Sequence, residues 1–180
     1  MADHEPSIRN AVRADSVPSV SVQTGGPVSG QIRPPGSKSL TNRALICAAM
    51  ATGPSTLSGA LRSEDTGVMI ESLRTCGVTI NVRDAGRTIE VDGWKQVETP
   101  AERHELFIAN SGTSVRFLTA ALSAAGGTYR LSGVDRMHQR PIADLVDALS
   151  RGQLGEICAE SPEGCPPVRI ESSGRALQRL

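Results

Sequence analysis

Aromatic side chains are scarce: one Trp, one Tyr and two Phe make up 2% of the 180 residues. No stacking platform for nucleic-acid bases can be assembled from so few rings, so the core must rely on Leu, Ile, Val and Ala. Net charge is also lacking, because 19 basic residues balance 19 acidic ones. A chain without a global field has no general attraction to nucleic acid or to an anionic membrane surface, and any anion recognition has to come from a local cluster. No apolar run reaches the length of a membrane span. The four cysteines, Cys47, Cys76, Cys158 and Cys165, form no Cys-x-x-Cys pair and have no histidine at metal-ligand spacing. No secretory signal precedes them, so they read as free or buried thiols of a reducing compartment, with no metal and a cytoplasmic location.

What the chain does have is Pro34-Pro35-Gly36-Ser37-Lys38-Ser39-Leu40-Thr41-Asn42-Arg43. The prolines pre-set an extended approach, Gly36 permits a tight turn without a Cβ, and Ser37 or Ser39 can cap a helix that begins near Leu40. Unpaired backbone N–H groups and the positive end of the helix dipole then face one point, which Lys38 and Arg43 can both reach. A phosphate or carboxylate fits there. A nucleotide-binding P-loop is excluded by spacing, since five residues separate Gly30 from Gly36 and Ser37 stands between Gly36 and Lys38.

At 180 residues the chain suits one domain with its own core, or part of something larger. Residues 1–16 are polar and aperiodic and read as a disordered extension. Two short strands are expected over residues 17–33 around Gly25-Gly26-Pro27. A helix over 40–51 carries Leu40, Ala44, Leu45, Ala48 and Ala49 at helical spacing, and Cys47 is placed on that apolar face. A strand at 55–58 follows, then a helix capped by Ser63, with Glu64 and Asp65 at its positive end and Met69, Ile70 and Leu73 facing the core. Residues 78–83 and 88–92 alternate as strands around Ala85-Gly86, and 94–103 reads as loop. A third helix over 113–125, a strand at 128–132 and a helix starting at Pro141 complete the reading.

This order repeats. Gly53 and Gly127, Leu57 and Leu131, Ser58 and Ser132, and Gly59 and Gly133 are each 74 residues apart. After a two-residue insertion, Met69, Ile70 and Leu73 align with Leu145, Val146 and Leu149. The pattern is an internal duplication of a βαβαββ-like unit in an α/β (α+β) fold.

The string Pro35-Gly36-Ser37-Lys38-Ser39-Leu40-Thr41-Asn42-Arg43-Ala44-Leu45 resembles the N-terminal signature of the 5-enolpyruvylshikimate-3-phosphate synthase family. Leu106-Phe107-Ile108-Ala109-Asn110-Ser111-Gly112-Thr113-Ser114-Val115-Arg116 is similar to that family's second motif. Arg136-Met137-His138-Gln139-Arg140-Pro141-Ile142 is similar to its third. The similarity runs in register from about residue 17 to 170, less than half of a typical member. It implies two globular domains of three βαβαββ units each, two units being present here, with substrates held in the cleft between domains. Residues 17–35 would then cross over to pair with the second domain, and residues 36–180 would be a partial N-terminal domain.

The implied reaction transfers the enolpyruvyl group of phosphoenolpyruvate to the 5-hydroxyl of shikimate-3-phosphate and releases phosphate, without a cofactor and in a full-length monomer. On the matched positions, Lys38 would contact both substrates and is the implied catalytic residue. Ser39 and Arg43 would hold the phosphorylated ring. Asn110 and Gly112 would line the phosphoenolpyruvate site, with Gly112 allowing close backbone approach, and Arg140 would grip that substrate through its guanidinium fork. Pro141 is expected as the first helical residue beside it, adding a dipole to the site. Arg116 reads as structural pairing, His138 as a loop residue, and Glu64, Asp65 and Asp135 as carboxylates without a catalytic role.

The family's Ser-Ser-Gln motif and the second domain, with its Asp base, Lys and further Arg residues, have no match here. Ser172-Ser173-Gly174 comes too early and lacks Gln. The chain alone is therefore expected to be inactive. Two alternatives remain: a relative acting on UDP-N-acetylglucosamine, which usually shows Lys-Asn where this chain has Lys38-Ser39 and a Cys where it has Asp135, and an inactive anion-binding module.

Overall fold

The computed structural model describes residues 21, 25–27, 29–94 and 103–174. The chain divides into two compact units, Met1–Arg33 and Pro34–Leu180. In the first, the described residues are exposed and form neither helix nor strand, so the expected strand pair is not found at those positions. Ile32 is 90% exposed. The extension over 1–16 lies outside the described residues, as do most of the loop at 94–103 and the valines at 17, 20, 22 and 28.

The second unit holds two βα repeats. The first runs α1 (Lys38–Met50), β1 (Pro54–Ser58), α2 (Glu64–Thr75), β2 (Thr79–Arg83) and β3 (Thr88–Asp92). Its strands form an antiparallel sheet in the order β1-β3-β2, with Leu57 opposite Ile89 and Ile80 opposite Val91. The second runs β4 (His104–Phe107), α3 (Gly112–Ala125), β5 (Gly127–Ser132), α4 (Ala143–Arg151), β6 (Gly155–Ala159) and β7 (Val168–Ser172). Its sheet has the order β4-β5-β7-β6; β4 runs parallel to β5 and the other pairs are antiparallel. The duplication is thus a structural one, and β4 is the only strand of the second repeat without a counterpart among the described residues of the first.

Local chemistry explains the helix starts. Ser37 Oγ accepts from the Leu40 N–H and Ser111 Oγ from the Ser114 N–H, 74 residues on, so both repeats begin on the same cap. Ser63 and Thr66 form a reciprocal capping box at α2, where Glu64 and Asp65 sit at the positive end. At α4 the sequence signal misleads. Pro141 precedes the helix, the Ile142 N–H goes to the Gly164 carbonyl, and helical structure starts only at Ala143.

Both sheets alternate, turning one face to the helices. Leu45, Met69, Leu73, Leu118 and Leu122 from the helices meet Ile89, Val91, Leu106, Leu131, Val168 and Ile170 from the sheets in one continuous core. The expected face of α1 is met in part. Leu45, Ala48 and Ala49 are buried as their spacing indicates, but Leu40 is 66% exposed and Cys47 is exposed, because Thr41 and Asn42 complete the buried face. Among the described residues no helix is long and apolar enough to cross a membrane.

Candidate anion-binding site

The packing of α1 against α2 and α3 brings three helix N-termini to one corner. Lys38, the first residue of α1, reaches across to α2, where its Nζ lies 2.7 Å from Asp65 Oδ2. The pair is partly open to solvent, with the lysine side chain 48% and the aspartate 21% exposed. The Asp65 carbonyl in turn accepts from Ser114 Oγ at 3.4 Å, and Ser114 shares a 2.7 Å hydrogen bond with the cap Ser111. A polar chain therefore runs from α1 through α2 to the first turn of α3.

Gly112 opens α3, and its lack of a side chain is a geometric requirement. A Cβ there would stand 2.4 Å from Arg140 Nη1 and 3.4 Å from Arg116 Nη1. Arg140 thus lays its guanidinium against the helix N-terminus, where backbone N–H groups and the dipole already favour an anion. It is half-buried and finds no side-chain hydrogen bond or ion pair among the described residues. Arg116 is committed elsewhere: it donates to the Gly112 carbonyl at 3.0 Å and to the Pro141 carbonyl at 2.8 Å, tying α3 to the loop that carries Arg140.

Arg43 lies one turn along α1, with its guanidinium carbon 5.6 Å from the centre of the Phe117 ring on α3. Ser39 and Asn110 are exposed beside the same two helix starts. The loop with Arg140 contains a single 3-10 turn, Met137–Gln139, and Arg140 ends that turn through its N–H to the Met137 carbonyl. Since α4 starts at Ala143, the dipole expected beside Arg140 belongs to α3 and not to α4.

Contacts unite Lys38 with Asp65, Gly112 with Arg140 and Arg43 with α3. Three further residues of this corner escape a reading of the sequence. Asp65 reads as a dipole-favouring carboxylate, and only the fold pairs it with Lys38. Ser114 looks like an ordinary helix residue. Asn42, one turn below Lys38, is fully buried with both amide atoms unpartnered, although a helix pattern gives no hint of it. A groove of about 800 Å³ between α2 and the β2–β3 hairpin is lined by none of Lys38, Arg43, Gly112 or Arg140, so the cation corner lies outside it. No group of three His, Cys, Asp or Glu side chains among the described residues could hold a metal ion.

This corner concentrates a lysine, an unengaged arginine and a helix N-terminus, which suits a small polyanion bearing phosphate or carboxylate groups. Known proteins share its framework. A 3-phosphoshikimate 1-carboxyvinyltransferase of Paraburkholderia phymatum is 51% identical over 143 residues, covering 79% of this chain and 32% of the relative. One from Rhizobium leguminosarum bv. trifolii is 44% identical over 155 residues, covering 86% of this chain and 35% of the relative. The structure of an EPSP synthase from Acinetobacter baumannii superposes with a TM-score of 0.71 at 29% identity, over 80% of this chain and 32% of that one. The chain therefore spans about a third of the length of the relatives it matches. With residues 22–180 also matching the family model for EPSP synthase (3-phosphoshikimate 1-carboxyvinyltransferase), the chain belongs to that family.

Proposed function

We propose that the chain forms one wall of the active-site cleft of an enolpyruvyl transferase acting on shikimate-3-phosphate and phosphoenolpyruvate. A proton adds to C3 of phosphoenolpyruvate while the 5-hydroxyl oxygen of shikimate-3-phosphate bonds to C2 and gives up its own proton. The tetrahedral carbon then expels phosphate as a C3 proton leaves, giving the enolpyruvyl ether and inorganic phosphate. The enol phosphate carries its own leaving group, so the step calls for charge stabilisation and proton transfer and no cofactor.

The observation that carries this reading is Arg140, an unengaged guanidinium held over a side-chain-free helix N-terminus at Gly112. In the proposal it grips the carboxylate or phosphate of phosphoenolpyruvate, with Asn110 and the Gly112 backbone beside it. Lys38 turns from Asp65 to contact both substrates as charge develops, while Ser39 and Arg43 hold the phosphorylated ring. The rest of the polypeptide supplies the second wall and the base, and residues 17–35 cross over to it. The complete enzyme acts as a cytoplasmic monomer.

Titration calorimetry tests the binding half of the proposal. The chain should take shikimate-3-phosphate and phosphoenolpyruvate weakly, and Arg140→Ala should weaken phosphoenolpyruvate about tenfold or more, as expected for a lost charge-assisted pair. Preferred binding of ATP, or an Arg140→Ala chain that binds phosphoenolpyruvate as well as the parent, would overturn it.

A further inference from the structure

His138 lies in the 3-10 turn of the loop that carries Arg140. Its Nε2 is 3.1 Å from Ser132 Oγ and 3.4 Å from the Gly133 nitrogen at the end of β5. A backbone N–H can only donate, so this ring nitrogen presents its lone pair and the imidazole proton is on Nδ1. The remainder of the loop is held by backbone bonds. The Val134 N–H reaches the Ala109 carbonyl, the Met137 N–H the Val134 carbonyl, and the Arg140 N–H the Met137 carbonyl. Packing at the joint is close, since Met137 is fully buried and a Cβ on Gly133 would stand 2.2 Å from the Ala109 oxygen. These bonds run from Ala109, beside Asn110, to Arg140 over Gly112; Met137 packs the turn against the end of β5 and His138 adds the described side-chain hydrogen bonds to it.

We propose that neutral His138 is a positioning residue for Arg140, and that its protonation loosens the hold of Arg140 on an anion. The charged residues of its own loop are Asp135, Arg136 and Arg140, and α3 brings Arg116 against that loop at Pro141. At the β5 end the described hydrogen-bond partners of its Nε2 are the uncharged Ser132 and Gly133. A proton on Nε2 can still be donated to Ser132 Oγ, but it then faces the Gly133 N–H, hydrogen against hydrogen. One hydrogen bond is lost and the turn shifts. The effect on anion affinity is about three- to tenfold, the size of a single hydrogen bond.

The inference rests on the proposed anion role of Arg140, and the test separates the two. Long-range proton–nitrogen NMR of the 180-residue chain should show His138 with its proton on Nδ1 at pH 7.5. The Arg140 Nε chemical shift, read from the nitrogen rather than its exchanging proton, should move between pH 7.5 and pH 5.5, while in His138→Gln, whose carboxamide oxygen accepts at any pH, it should stay in place. Phosphoenolpyruvate titrated at the two pH values should lose about three- to tenfold more affinity in the parent than in His138→Gln, a comparison that cancels titration of the ligand itself. His138→Phe should bind weakly at both. A proton on Nε2 at pH 7.5, or identical pH dependence of the Arg140 signal in parent and His138→Gln, would overturn the inference. If phosphoenolpyruvate binds neither protein, the substrate reading falls while the Arg140 signal still decides the role of His138.

Discussion

The two repeats place opposite chemistry on one scaffold. Each starts its first helix on a serine that caps the third backbone N–H, Ser37 in one and Ser111 in the other. The next residue is Lys38 in the first repeat and Gly112 in the second; Lys38 meets the first turn of the following helix, and Gly112 the loop before the following helix. Lys38 meets the carboxylate of Asp65, whereas Gly112 leaves room for the guanidinium of Arg140. In one repeat the helix start carries the cation and its neighbour the counter-charge; in the other the helix start is bare and the cation comes from across the gap. A duplicated helix N-terminus can therefore become a cation donor or an anion-receiving notch through one side chain at its first position.

Turnover is where the largest effect is expected. In the proposed cleft the two repeats make one wall, and the groups of the opposite wall would each contribute about 10²- to 10⁴-fold. Phosphate release from shikimate-3-phosphate plus phosphoenolpyruvate should not exceed that of a Lys38→Ala control. Clear turnover by the parent chain would show that the paired repeats suffice.

Equivalent leucines sharpen the comparison on the stability side. Leu131 is fully buried on β5 between β4 and β7, whereas Leu57 on β1 is only half-buried. Leu131→Ala should cost about 2–5 kcal/mol and Leu57→Ala about half as much, by urea denaturation. Equal losses would mean that the first repeat is as well closed as the second. At the notch itself, Gly112→Ala should push the Arg140 guanidinium aside, since the new methyl group would stand 2.4 Å from Nη1. Phosphoenolpyruvate affinity should drop about tenfold with little change in stability, because the displaced atom is the far end of a flexible side chain.

A pH dependence shared by both halves is expected at alkaline pH. Burial pushes the Cys76 thiol of the first repeat from 9.0 to about 12 and the Tyr129 phenol of the second from 10.0 to about 12. The folded state keeps both neutral while the unfolded chain ionises, so stability is full below pH 9 and declines as pH rises from 9 towards 12. Cys76→Ala should flatten the lower part of that decline in urea titrations repeated across the range.

Much of the scaffold was legible from local patterns. Serine caps, glycine stops and apolar spacing locate α1, α2, α3 and the β2–β3 hairpin to within a residue or two, and the spacing of Gly53 and Gly127 exposes the repeat. Strand β4 was not legible as a strand, because His104–Phe107 is four residues long and its partner, β5, lies beyond a whole helix. One edge of the α1 face also escaped the pattern, since Leu45, Ala48 and Ala49 are buried but Leu40 and Cys47 are not. In an alanine-rich helix two stripes are comparably apolar, and tertiary packing chose the one with Asn42 over the one with Cys47. At the corner, the positions of Lys38, Gly112 and Arg140 could be picked out from short strings of sequence. Asp65 could not be paired with Lys38, because the rest of α1, a strand and two turns separate them and only the packing of α2 on α1 closes the distance. The start of α4 was misjudged because Pro141 is a real helix-start signal that here serves the loop before the helix.

The central claim is that Lys38 on its aspartate and Arg140 over its glycine are two parts of one anion site. Following the Lys38 Nζ and Arg140 Nε NMR signals while phosphoenolpyruvate is added to the 180-residue chain tests it most directly. One site predicts that both signals move together with a single dissociation constant, and that Arg140→Ala abolishes or weakens the Lys38 response. A Lys38 signal that stays still as Arg140 saturates, or that titrates with a different constant unaffected by Arg140→Ala, would contradict it.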